Sequence, residues 1–136
     1  MRRNRVILLA LVLLSLSCTR KPEQSLIGKW KGTDSGGKTA SLIFNSDHTF
    51  KMVLGNMVVD GAMFGGKAEW RADMSRDPMT LDFIIIASSG DQSVLPIIFR
   101  FVTDSKIQIR MSKDMQSRPT GFSVDDTENQ LVLVKQ

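Results

Sequence analysis

From Leu26 onward, apolar residues alternate with polar ones or come in short runs, and polar turn clusters interrupt them before a helical stripe can form. Ile107, Ile109 and Met111 alternate with Lys106, Gln108 and Arg110, the period of two that places one set of side chains on each face of a strand. Residues 41–44 and 49–54 flank Asn45, Ser46, Asp47 and His48, a polar cluster suited to a hairpin turn. Residues 58–59 and 62–63 flank Asp60-Gly61, a dipeptide that favours the positive φ angles of a tight type I′ turn. Residues 66–71 read as a further strand with Ala68 and Trp70 on one face.

Arg76-Asp77-Pro78 mark the next turn, and residues 79–87 follow as a strand. Phe83 to Ile86 are all apolar, so this strand is expected to be buried on both faces. Ser88 to Asp91 break it, and residues 94–103 resume with Pro96 early in the run. Proline has no N–H for a ladder, so Pro96 belongs at an edge or a bulge. Asp104-Ser105 turn the chain into the strand at Lys106, residues 112–129 form a long polar loop, and residues 130–135 make the closing strand. This predicts an all-β fold of about eight or nine strands, spaced at the roughly 8–12 residues usual in sandwiches and barrels. An antiparallel meander removes its free edges most completely by closing into a barrel.

At 136 residues the chain has the length of one domain, and its 42% hydrophobic content can supply one core. The net charge of +4 invites a nucleic-acid reading. However, Arg2, Arg3 and Arg5 precede an uninterrupted apolar stretch from Val6 to Leu14, and this pattern is that of a removable secretory signal. The 18 Lys and Arg less those three leave 15 against 14 Asp and Glu, a nearly neutral domain with no basic stripe, so no nucleic acid is expected as a partner. The apolar stretch is too short for a membrane-spanning helix, which needs roughly 20 residues.

Cys18 is the single cysteine, so no disulfide can form within the chain. It follows Ser15-Leu16-Ser17, and this sequence resembles a relaxed form of the lipobox of bacterial lipoproteins. The resemblance implies that residues 1–17 are removed, that the Cys18 sulfur carries a diacylglycerol, and that residues 18–25 tether a domain spanning 26–136. Several acyl chains on one residue give stable anchoring, because each buried CH₂ contributes about 0.8 kcal/mol. The expected location is the cell envelope, on a membrane surface facing the periplasm or the exterior.

Gly28-Lys29-Trp30 resembles the Gly-x-Trp opening of lipocalins and lipocalin-like bacterial domains, in which the tryptophan packs across the closed end of the barrel. Pro78-Met79-Thr80-Leu81-Asp82, then Arg118-Pro119-Thr120-Gly121-Phe122, then the final Val132-Leu133-Val134-Lys135, are similar in order to a family of small uncharacterised bacterial lipocalin-like domains. The resemblance spans roughly residues 26–135 and assigns structural roles to Gly28, Trp30, Arg118, Pro119 and Phe122. The chain is shorter than true lipocalins and lacks the helix that follows their barrel.

Few residues suggest chemistry. His48 is the only histidine and reads as a turn residue, since neighbours on one turn rarely align as a catalytic triad. Met52, Met57 and Met63 could offer soft ligands to Cu(I), but methionine more often fills core gaps. Asp125, Asp126 and Glu128 form an acidic group without the glycine and oxygen ladder of a calcium loop. Gly36-Gly37-Lys38 is followed by a strand pattern instead of the helix that a phosphate loop needs. No metal, cofactor or catalytic residue is assigned, and the domain is not expected to be an enzyme. The leading expectation is non-enzymatic binding of a small apolar ligand or envelope component at the barrel mouth. The alternative is a protein–protein module, an inhibitor or assembly factor, acting through the 112–129 loop or a sheet edge.

Overall fold

A computed structural model describes residues 22–34, 36–125 and 129–136. Cys18 and the signal region lie outside the described residues. The chain forms nine strands: β1 Gly28–Thr33, β2 Thr39–Phe44, β3 Phe50–Leu54, β4 Met57–Val59, β5 Lys67–Asp73, β6 Met79–Ile86, β7 Gln92–Thr103, β8 Lys106–Met111 and β9 Gln130–Lys135. They make one antiparallel sheet in the order β4-β3-β2-β1-β9-β8-β7-β6-β5. The sheet curls into a nearly closed barrel. Its first and last strands meet side by side, Trp30 opposite Lys135 and Thr33 opposite Val132.

Closure between the two free edges is made more by side chains than by backbone. A single bridge, Thr49 to Glu69, joins the start of β3 to β5, and Trp70 N–H donates to the His48 carbonyl at 2.8 Å. Inside, Phe44 meets Trp70 edge-on at 5.1 Å and Phe50 lies 4.5 Å from Phe83. Rings from β2 and β3 thus pack on rings from β5 and β6 across the seam. Such pairs contribute about 0.5–1.5 kcal/mol each beyond their buried area.

Alternation decides the rest of the core. Leu42 and Phe44 on β2, Ala68 and Trp70 on β5, Leu81 and Phe83 on β6, Ile97 and Phe99 on β7, and Ile107 and Ile109 on β8 all point inward and are buried. Phe83 and its neighbour Ile84 are both buried, so β6 is covered on both faces at this point, while Thr80, Asp82 and Ile86 on the outward face stay partly exposed. Pro96 pairs with Asp82 on β6, while pairing of β7 with β8 begins only at Ile97. Its missing N–H therefore falls where β7 has one strand neighbour, a local edge inside a central strand.

Two expectations change. Asp60-Gly61 does not make a type I′ hairpin: Gly61 has φ −60° and ψ −35° and opens a 3₁₀ turn, Ala62–Phe64. The Asp60 carboxylate accepts from Met63 N–H at 3.1 Å, capping that turn. Residues 22–25, assigned to the tether from the sequence, pack with the domain instead. Glu23–Leu26 form a 3₁₀ turn, Leu26 is fully buried, and Lys135 Nζ donates to the Ser25 carbonyl at 3.1 Å.

Candidate functional site

The barrel interior is occupied by side chains. Trp30, Phe44, Trp70, Phe83, Phe99, Leu42, Leu81, Ile97, Ile107 and Ile109 are all at most 2% exposed. Trp30 fills the end next to the Glu23–Leu26 turn, and its indole Nε1 donates to the Leu26 carbonyl at 2.8 Å. Lys135 Nζ lies 5.5 Å from the Trp30 ring centroid. Gly28, at φ +133°, would bring a Cβ within 3.1 Å of the Lys135 stem, so glycine both permits the backbone angle and makes room for that lysine.

A sizeable concavity lies instead on the outside of the sheet, where the loop after β8 folds back over the strands. It is a groove of about 820 Å³, lined by Thr33 and Asp34, by Arg100, Gln108, Gln130 and Val132, and by Phe122 to Val124. Its floor is one row of outward residues: Thr33 opposite Val132, Val132 opposite Gln108, Gln108 opposite Arg100. Side chains link the row. Arg100 Nε donates to Gln108 Oε1 at 2.8 Å, Gln108 Nε2 to Gln130 Oε1 at 3.0 Å, and Gln130 Nε2 to the Ser123 carbonyl. The Arg100 guanidinium sits over the Phe122 ring at 4.4 Å. With its face on the ring and Nε committed to Gln108, its terminal N–H groups remain for a carboxylate, and no ion pair occupies them among the described residues. A guanidinium fixed in this way loses less freedom on binding an anion than a mobile one does.

The loop that walls the groove is held by Arg118. Its Nη1 donates to the Ile97 carbonyl at 2.8 Å and its Nη2 reaches Asp82 Oδ1 at 2.5 Å. Pro119 lines an outer hollow together with Ile98, Thr80 and Pro78. Arg110 adds a bond to the Gly121 carbonyl. Hydrogen bonds to charged groups contribute about 1.5–3 kcal/mol. The Arg118 and Asp82 side chains remain 34% and 24% exposed, so the lower end applies. Arg118→Ala is expected to lower stability by about 1.5 kcal/mol, read by urea unfolding, and to open residues 112–125 to limited proteolysis while leaving the strands protected.

The remaining sequence candidates fall apart spatially or into turns. His48 adopts φ 66°; its ring tilts over Trp70 at 4.9 Å and its Nε2 lies 2.8 Å from Glu23 Oε1. It ties the N-terminal turn to the barrel seam. Asp47 beside it accepts from the Thr49 hydroxyl and N–H, and these bonds hold its carboxyl below the ordinary carboxylate range. Gly36 and Lys38 N–H both donate to Asp34 Oδ1, at 2.9 and 2.8 Å, and β2 follows at once. Met52 is in the core, whereas Met57 and Met63 are exposed on and beyond β4, so the core role expected of all three holds for one. Asp125 is exposed, and Asp126 and Glu128 lie outside the described residues. No protein-family model, curated protein sequence or solved structure matches this chain.

Proposed function

We propose that the protein is a bacterial lipoprotein, anchored through Cys18, whose lipocalin-like domain is a non-catalytic module that binds a polypeptide partner along the outer groove. The observation that carries this reading is the occupied interior. A small-ligand pocket needs roughly 300 Å³ or more of enclosed space, and the inward positions hold Trp30, Phe44, Trp70, Phe83 and Phe99. This ranks the sheet-and-loop surface above the barrel mouth. The groove combines Phe122, Val124 and Val132 with an ordered arginine and two amides, the mixture of aromatic, arginine and hydrogen-bonding groups found at protein interfaces.

A photoreactive side chain at Val132, in cells, is expected to capture one partner of discrete mass, while the same group at Lys51 on β3 captures none. Arg100→Ala should weaken that partner by about 2 kcal/mol, roughly thirtyfold in Kd. A small molecule retained by the protein in native mass spectrometry, with no crosslinked protein, would overturn this reading in favour of a ligand carrier. Palmitate label that persists in Cys18→Ala would remove the anchor.

A further inference from the structure

Charge is unevenly placed on the sheet. On the strands, Asp and Glu occur only on β5 and β6, as Glu69, Asp73 and Asp82. The neighbouring strands β1, β9, β8 and β7 carry Lys29, Lys31, Lys135, Lys106, Arg110 and Arg100 and no carboxylate. The described acids nearest to them in sequence, Asp34, Asp104 and Asp125, stand in connections between strands. No run of Lys or Arg announces this basic side, because it is assembled from single residues on separate strands.

Register turns the imbalance into a patch. Trp30 and Leu133 are buried, so Lys29, Lys31 and Thr33 on β1 and Val132 and Val134 on β9 point outward. Lys31 lies opposite Val134, and Val134 opposite Lys106. This row runs beside the groove floor of Thr33, Val132 and Gln108, two residues away on each strand. Lys31, Lys106 and Arg100 thus surround Val132 and Val134, which are 42 and 40% exposed. Neighbouring strands lie about 4.8 Å apart, so Lys31 and Lys106 stand roughly 10 Å from each other across β9. Beyond Lys31 the surface dips into a second hollow of about 350 Å³, lined by Lys29, Lys31, Thr39 and Ser41 and by no carboxylate. Among the described residues no ion pair occupies Lys29, Lys31 or Lys106. Lysines on strands commonly keep a sheet edge from pairing with other chains. Strands β1, β9 and β8 lie in the middle of the sheet, where there is no edge to protect.

We propose that the partner segment entering the groove is acidic: its carboxylates meet Arg100, Lys106 and Lys31, and apolar side chains between them cover Val132 and Val134. The proposal rests on the groove reading and adds the charge of the partner. Arg100, stacked on Phe122, presents its terminal N–H groups to one carboxylate in a fixed plane. The two lysines act as point charges for its neighbours. Complementary charge speeds encounter and rejects basic competitors.

The test places a photoreactive side chain at Val134 as well as at Val132, in the full chain in cells, and sequences the crosslinked segment by mass spectrometry. One partner is expected at both positions, joined through a segment with Asp or Glu on both sides of the crosslink. Lys31→Glu combined with Lys106→Glu is expected to lower capture at Val132 by roughly tenfold or more. Lys31→Arg should retain capture, and Lys67→Glu on β5 should leave it unchanged. Raised salt should weaken the purified complex with no substitution at all, which separates lost attraction from lost folding. A neutral or basic segment at the crosslink, or capture at Val132 with none at Val134, overturns the acidic assignment and leaves the groove reading standing. No polypeptide at either position overturns both. Lipid in place of polypeptide at Val134 assigns the basic side to an anionic membrane and overturns the proposal.

Discussion

Trp30→Ala is expected to lower the unfolding free energy by about 3–5 kcal/mol, the range for emptying a large aromatic site in a core. Trp30 is completely buried, and its neighbours are held by connections that prevent collapse into the void. Leu26 belongs to the N-terminal turn that lies beneath it, and Lys135 is bonded to Ser25. Domains of this size have about 5–15 kcal/mol in total, so the variant should unfold at much lower urea. Trp30→Phe keeps a six-membered ring in the site but loses the bond to the Leu26 carbonyl, present at 2.8 Å, together with the three further ring atoms of the indole. It should cost about 1–2 kcal/mol. Equal losses for the two variants would show that the indole bond, not the volume, sustains this end of the barrel.

Gly32→Ala is the second large effect expected, at about 3 kcal/mol, the upper part of the range for overpacking. A Cβ at this position would stand 2.1 Å from the Val132 carbonyl oxygen and 3.0 Å from Leu133 Cδ2. The first of these is backbone, so rotamer changes cannot relieve it. Strand β1 would have to move away from β9 in the ladder that joins β1–β4 to β5–β8 on the side away from the Thr49–Glu69 bridge. Gly36→Ala serves as the control, since its Cβ would meet nothing nearer than 3.4 Å, and its unfolding midpoint should be nearly unchanged.

Strand positions were legible in the sequence wherever one face is apolar and the other polar. The alternation at residues 106–111 is β8, and the apolar run at Phe83 to Ile86 contains the point, Phe83–Ile84, where β6 is buried on both faces. Local signals failed where a side chain could choose between two turns. Asp60-Gly61 favours a type I′ hairpin in isolation, but the carboxylate finds Met63 N–H and starts a 3₁₀ turn. The groove was only partly legible. Arg118 and Phe122 stood out within a landmark motif, and both hold the groove's wall. Arg100, Gln108 and Gln130 did not, because each reads as an ordinary outward polar residue of its own strand. They become neighbours only through the register that sets Arg100 opposite Gln108 and brings β9 alongside β8.

The position of β9 between β1 and β8 has a bearing on how the chain must be made. Synthesis delivers β1 before β9, yet among the described residues β9 carries the continuous ladder between the first four strands and the following four, which otherwise meet only at the Thr49–Glu69 bridge. Until Gln130–Lys135 emerge, a nascent chain carries two separate hairpin stacks, each with an unsatisfied border, and unpaired borders recruit other chains. A chain that lacks Gln130–Lys135 is expected to aggregate, whereas a deletion of similar size between residues 112 and 125 spares every rung of the ladder.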